Sequence, residues 1–178
     1  LGVHRGIDTI VNAMKYITSE EVVLRIVGFR DKTPYEKTIR SLVSKAGLQS
    51  RVILEQWVRK EEIAEVIRSS TLCTVPHNRS EHTETTIPHK LFQYMASSVP
   101  VLVSDVRPLR RVVENAKCGF VFEANNERSC ADKINEALSC SVDKLREFGY
   151  NGRRGVVEDF NWKEDAARLV TLYDQLDK

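Results

Sequence analysis

As far as residue 122, segments with the hydrophobic pattern of strands alternate with segments that have the hydrophobic spacing of helices. Short runs rich in β-branched residues predict buried strands, and apolar residues three or four positions apart predict amphipathic helices. The predicted strands lie at residues 22–27, 52–54, 72–75, 99–103 and 120–122. The predicted helices are centred on residues 7–17, 39–46, 63–67, 88–96, 108–113, 130–138, 145–148 and 162–176.

The order of these elements predicts an α/β fold built on a doubly wound parallel sheet. Strands that alternate with helices require right-handed βαβ crossovers, and ligands are expected beyond the carboxyl ends of the strands. Gly47 follows a helical pattern and is predicted at the left-handed position that ends the helix. The chain opens on a loop rather than a strand, so we expect a fragment whose first strand precedes Leu1.

The composition narrows the function classes without naming one. A chain of 178 residues with 42% hydrophobic and 29% charged residues is typical of one globular domain. No apolar run is long enough for a membrane span, and a net charge of +2 is too small to indicate a nucleic-acid partner. The four cysteines lack the paired spacing of zinc sites, so we expect no metal and a reduced, cytoplasmic location.

The first candidate site is the loop that opens the chain. Gly2, Arg5 and Gly6 directly precede the first predicted helix. Unpaired N–H groups and the positive dipole end at a helix N-terminus favour a phosphate, and Arg5 would add a charge-assisted contact. A glycine turn that only caps the helix explains the same residues equally well, so both interpretations stay open.

The second candidate site lies where a polar loop leaves a predicted strand and enters the helix that begins at Pro88. This loop and the first turn of the helix offer a carboxylate, two hydroxyls and an amine, from Glu84, Thr85, Thr86 and Lys90. The alternative is that Glu84 and the threonines cap the helix while Lys90 is a solvated surface residue.

Several motifs, in order, resemble those of the retaining GT-B glycosyltransferases of family four, also called glycosyl transferases group 1. The segment PHKLFQYMASSVPVLVSD resembles the family's P-x-K-L-x-E-Y-x-A-x-G-x-P-V helix and strand. The opening G-x-x-R-G-I-D resembles the K-G-x-D loop, and VVLRIVGF resembles the L-x-I-V-G-x-G strand. Matches at RVILEQWV, CGFVFE and FNWKEDAARLVTLY extend the resemblance over essentially the whole chain.

The resemblance implies the Rossmann-like half of a GT-B enzyme that holds a nucleotide-sugar donor, with the N-terminal acceptor domain absent from this chain. The family's first-loop glycine and basic residue, which contact the donor diphosphate, fall on Gly2 and Arg5. Lys90 would supply further charge. Arg5, Lys90 and Glu84 are the residues expected to act in catalysis.

The sugar and ribose positions depart from the family pattern. The family has two glutamates separated by seven residues, one near the donor sugar and one on the ribose. Gln93 stands at the second position, Thr85 at the first, and Glu84 one residue earlier. Thr86 and Ile87 complete the segment expected along the donor.

The segments that flank the nucleobase in the family match two places in this chain. One is the loop after the first predicted strand, with Gly28 and Arg30, and the other contains Trp57 and Val58. Core packing is the alternative role for Trp57.

The resemblance also implies the chemistry and the setting. The donor would be a UDP- or GDP-linked sugar with no separate cofactor, and the acceptor a cell-envelope or lipid-linked glycan, reached in the cytoplasm or at the inner face of the membrane through the missing domain. Breaking the anomeric bond leaves a diphosphate with added negative charge, so fixed donors aimed at it stabilise the transition state.

Two other functions fit the same fold class. A nucleotide-sugar epimerase would share the nucleotide grip but would show catalytic carboxylates and a histidine in the donor cleft. A non-catalytic nucleotide-binding module of the receiver type would show an acidic cluster at the end of the first strand. The first loop of this chain has Arg5 instead.

Overall fold

The computed structural model describes residues 2–29 and 32–176. All five predicted strands are present, as β1 (Leu24–Val27), β2 (Val52–Glu55), β3 (Cys73–Val75), β4 (Val101–Ser104) and β5 (Gly119–Phe122). The helices are α1 (Ile7–Ala13), α2 (Pro34–Lys45), α3 (Ile63–Arg68), α4 (Glu81–Thr85), α5 (His89–Ala96), α6 (Arg107–Ala116), α7 (Glu127–Ser139), α8 (Val142–Glu158) and α9 (Trp162–Leu176). The predicted α/β class is confirmed.

Every strand pair in the described residues is parallel, as the crossover pattern predicts. β1 pairs with β2 in the register Leu24 to Val52, and β4 lies between β3 and β5. The ladders therefore form a pair and a trio of strands. One apolar cluster joins the two groups, because it contains side chains of β1 and β2 together with Leu102, Phe120 and Phe122 of the trio. The predicted sixth strand, before Leu1, lies outside the described residues and stays a prediction.

Local sequence signals set the two ends of α2. Thr33 and Glu36 form a reciprocal capping box around Pro34, so the helix begins five residues before the apolar pattern predicts. At the other end Gly47 has a φ of 66°, and the Leu48 N–H donates to the Val43 carbonyl at 3.0 Å. This is a Schellman termination, and it confirms the left-handed position predicted for Gly47.

The segment between β3 and α5 was predicted as a loop, but it contains the one-turn helix α4. Ser80 caps this helix by accepting from the Thr83 N–H, and Thr83 reaches back to the Ser80 N–H at 2.9 Å. Threonine takes the place that glutamate or glutamine holds in the usual capping box, so the sequence signal for the helix start was missed.

Three glycines let α8 pack closely on α5 and α6. Gly149, Gly152 and Gly155 all lie on its buried face. A Cβ at Gly149 would approach the Ser98 carbonyl oxygen to 2.1 Å, and one at Gly152 would touch Met95 at 3.4 Å. Close approach of α8 fixes the back of α5, whose first turn faces the candidate site.

The last helix, α9, has no buried residue, although its apolar spacing predicts an inward face. Trp162, Tyr173 and Leu176 are among its exposed side chains. Within residues 2–29 and 32–176, no helix has both the length and the apolar character needed to cross a membrane.

Candidate functional site

The first loop lies against the carboxyl end of β3, at the edge where a parallel sheet is expected to bind ligands. Gly6 adopts a φ of 63°, and a Cβ there would lie 1.7 Å from the Pro76 carbonyl oxygen. Only glycine satisfies both the left-handed backbone and this contact. The fold therefore brings residues 2–6 next to the segment that follows β3.

Asn78 holds this loop in place with three hydrogen bonds. Its backbone N–H donates to the His4 carbonyl at 3.1 Å, and its side-chain amide donates to the Val3 carbonyl at 2.9 Å. Its side-chain oxygen accepts from the Thr9 hydroxyl at 3.2 Å. Sequence reasoning missed Asn78, because its partners lie about 70 residues earlier in the chain.

Five basic side chains meet where the first loop, the segment after β3, α4 and α5 come together. They are His4, Arg5, His77, His82 and Lys90. The His4 ring lies 6.3 Å from that of His77 and 5.7 Å from that of His82, both in edge-on geometry. We call this group the basic cluster; it unites the two predicted cations, Arg5 and Lys90, in one place.

Burial and repulsion by neighbouring charges lower the pKa values of His4, His77 and Lys90. Burial, followed by the charge of Arg5, lowers the pKa of Lys90, so this amine is not the freely solvated surface residue of the alternative interpretation. Burial lowers the pKa of His77 to about 4, with further contributions from Arg5, Lys90 and the other two imidazoles. The local field therefore favours an anion.

The N-terminus of α1 differs from the unpaired phosphate-binding turn that the sequence predicts. The N–H groups of Ile7 and Asp8 donate to the Tyr35 hydroxyl oxygen at 3.1 and 3.3 Å, and this hydroxyl donates to the Asp8 carboxylate at 2.8 Å. Burial and the hydrogen bond to Asp8 raise the pKa of Tyr35. Anion attraction at this edge therefore depends more on side-chain charge than on these two N–H groups.

The Glu84 carboxylate is already engaged. It forms an ion pair with Arg79, and its other oxygen accepts from the Arg107 N–H at 3.0 Å. Arg79 also bonds Asp105 at 2.6 Å, and Asp105 accepts from the Ala124 N–H at 2.8 Å. These contacts tie α4 to the ends of β4 and β5. The helix that begins after Pro88, α5, has no side-chain cap, so neither Glu84 nor the threonines cap it.

The remaining residues expected along the donor lie on or after α4. The Thr85 and Thr86 hydroxyls donate to carbonyls of Glu81 and His82. Ile87 is half-buried, and Gln93 is exposed on α5.

The nucleobase-flanking residues lie after β1 and β2. Gly28 has a φ of 90° and donates its N–H to the Glu55 carbonyl at 3.1 Å. The Trp57 indole lies 3.7 Å from where a Cβ on Gly28 would stand. Trp57 is 65% exposed, so it is not a core residue, whereas Val58 is half-buried. Arg30 lies outside the described residues.

In the part of the chain that the structure describes, no group of three or more His, Cys, Asp and Glu side chains is placed to hold a metal ion.

The chain is similar in sequence to known glycosyltransferases, but it covers only part of their length. The family model for glycosyl transferases group 1 matches residues 1–155. The D-inositol 3-phosphate glycosyltransferase of Xylanimonas cellulosilytica is 23% identical over 98% of this chain and 40% of its own length. The MMP alpha-(1->4)-mannosyltransferase of Mycolicibacterium hassiacum is 26% identical over 96% of this chain and 40% of its length. This chain thus spans about two fifths of these relatives.

Solved structures agree on the fold. The sucrose-phosphate synthase of Thermosynechococcus elongatus superposes with a TM-score of 0.83 at 27% identity, over 98% of this chain and 43% of that one. Anabaena HepE, solved in complex with UDP, superposes with a TM-score of 0.82 at 17% identity, over 98% of this chain and 46% of that one. Since the family model matches most of the length of this chain, the chain belongs to the glycosyl transferases group 1 family.

Proposed function

We propose that this chain is the donor-binding half of a retaining glycosyltransferase that transfers a hexose from a nucleoside diphosphate sugar. The observation that carries the proposal is the basic cluster at the carboxyl end of β3, where Arg5 and Lys90 share one site with three imidazoles. Such a site needs an anion of matching charge, and a diphosphate supplies one.

The chemistry follows from where charge develops. When the anomeric bond breaks, the departing nucleoside diphosphate gains negative charge on its terminal phosphate. Arg5 and Lys90, held by Gly6, Asn78 and the packing of α5, are fixed donors that stabilise this charge more in the transition state than in the ground state. Lys90 is half-buried, which strengthens its attraction for a phosphate relative to an amine in bulk water.

The other candidate residues take supporting roles in this proposal. Trp57, beside Gly28, and the adjacent Val58 border the nucleobase, and Arg30 follows Gly28 in the sequence. Gln93 stands where the family has its ribose glutamate and would hydrogen-bond a hydroxyl as a neutral amide. Glu84 positions α4 through Arg79, while Gly2, Thr85, Thr86 and Ile87 line the path of the diphosphate and sugar.

The relatives support the class of donor. Anabaena HepE has been solved with UDP and with UDP-glucose, and the Mycolicibacterium hassiacum relative is named a mannosyltransferase. UDP- and GDP-linked sugars, the two donor classes that the family resemblance implies, are the donors to test. Family membership favours sugar transfer over epimerisation or a non-catalytic nucleotide module. The acceptor, proposed as a cell-envelope or lipid-linked glycan, would bind outside this chain.

The proposal is tested by calorimetric titration of the chain with UDP-glucose, GDP-mannose and the nucleosides uridine and guanosine. We expect one of the two donors to bind with a Kd of about 0.1–1 mM, and the matching nucleoside at least about tenfold more weakly. The diphosphate contacts account for the difference. Absence of binding by either donor at millimolar concentration, with the chain folded, would contradict the donor-domain assignment.

A further inference from the structure

Three of the four histidines in the chain lie together in the basic cluster. His4 belongs to the first loop, His77 follows β3, and His82 lies on α4. The fourth, His89, is exposed at the start of α5. Arginine and lysine alone would suffice to attract a diphosphate, so the three imidazoles require a separate explanation.

His77 is the most constrained member of this group. Its side chain is only 4% exposed, and neither ring nitrogen has a hydrogen-bond partner among the described residues. A buried polar group without a partner costs free energy, which makes such a group in a native fold worth explaining. A hydrogen-bond acceptor supplied by a bound ligand would remove this cost.

The charges that face His77 come from every element around it. The first loop presents Arg5 and His4, α4 presents His82, and α5 presents Lys90. The Glu84 carboxylate of α4 is held by Arg79. Burial, and after it these positive charges, keep the His77 imidazole neutral. An anion bound among these charges would favour the imidazolium.

We propose that His77, supported by His4 and His82, is a ligand of the donor diphosphate and that donor binding is coupled to proton uptake by the basic cluster. The inference rests on the proposed function for the identity of the anion. On binding, one ring nitrogen of His77 takes a proton from the solvent, and the resulting imidazolium N–H donates to a phosphate oxygen. The site gains one positive charge next to the two negative charges of the diphosphate.

The sign of the pH dependence follows from the direction of the shift. Without a ligand the pKa of His77 is about 4, below the ordinary value of 6.5. The bound anion raises this pKa, so the complex holds more protons than the ligand-free chain in the window between the two values. Donor affinity therefore rises as the pH falls through this window, by at most about tenfold per pH unit for each coupled proton.

The test is calorimetric titration with the tighter-binding donor at about pH 6 and about pH 8, each in two buffers of different protonation enthalpy. Both phosphates of a nucleotide sugar are esterified, so the ligand takes up no proton in this range. We expect a measurable fraction of a proton to be taken up at the lower pH and almost none at the higher. Affinity should rise about three- to tenfold between them.

Two matched variants show which histidine takes up the proton when the donor binds. His77→Gln keeps a hydrogen-bonding side chain without a titratable group, and it should lose most of the proton uptake. His89→Gln removes the histidine outside the cluster and should leave the uptake unchanged. If His77→Gln fails to fold, NMR titration of the His77 ring in the wild-type chain replaces it, and the donor should raise the pKa of this ring by about two to three units, as the expected change in affinity requires.

Two results separate this inference from the function on which it rests. Donor binding without proton uptake, or a His77 ring whose titration the donor leaves unchanged, overturns the role of His77 and leaves the donor-domain proposal standing. Failure of the wild-type chain to bind either donor at any pH overturns both.

Discussion

Replacing Gly6 with alanine should lower the free energy of unfolding by about 2–5 kcal/mol and remove detectable donor binding. About 1–2 kcal/mol comes from the left-handed backbone, at a φ of 63°, where L-residues are strained. The rest comes from the new Cβ, which would overlap the Pro76 carbonyl oxygen at 1.7 Å, a clash that only a shift of the first loop can relieve. Such a shift would break the Asn78 contacts and displace Arg5.

Gly47→Ala is the matched control for this substitution. Gly47 has nearly the same φ, 66°, but a Cβ there would meet no atom within 4 Å. We expect this variant to lose only the backbone contribution of about 1–2 kcal/mol and to keep donor binding. Denaturant unfolding and donor titration of the two variants measure both effects. Equal losses of stability for Gly6→Ala and Gly47→Ala would contradict the packing of the first loop on β3.

Arg5→Ala and Lys90→Ala should each weaken diphosphate binding by about 1.5–3 kcal/mol, the range for hydrogen bonds to charged groups. This corresponds to a loss of affinity of roughly 10- to 150-fold. Nucleoside binding should change little, because the Coulomb attraction acts on the phosphates alone. Titrations of each variant with the donor, the nucleoside diphosphate and the nucleoside measure the selectivity of the loss.

A charge-matched control is Lys45→Ala, which removes one exposed cation at the far end of α2. It should leave diphosphate affinity unchanged. Added salt should weaken diphosphate binding more in the wild type than in the Arg5 and Lys90 variants, since they lack one screened interaction. Equal losses for nucleoside and diphosphate would indicate damage to the fold, and no loss in Lys90→Ala would contradict the proposed contact between this amine and the diphosphate.

Local patterns predicted most of the fold because they record local physics. The β-branched runs located all five strands, and the helical spacings located the main helices. The position of Gly47 after a helical pattern predicted its positive φ. Errors arose where the signal was unusual or depended on packing. A threonine replaced the expected acid in the cap of α4, and the apolar spacing of α9 did not correspond to a buried face.

For the candidate site, the sequence predicted some of the residues but not the contacts between them. Arg5 and Lys90 were named from their neighbours in sequence, and the fold brings them together. Asn78, Tyr35 and His77 were missed, because their roles arise from contacts between segments far apart in the chain. The Arg79 ion pair with Glu84 was likewise unpredicted, since the sequence could not show which cation this carboxylate would meet.

The central claim, that a donor diphosphate binds where the first loop meets α5, is tested most directly by NMR. The amide resonances of the isotopically labelled chain would be followed during titration with the tighter-binding donor. We expect the largest shifts at the first loop, around Arg5 and Gly6, and in the turn that begins α5 at Lys90, with little change on α9. Shifts confined to other surfaces, or none at millimolar donor, would contradict the account.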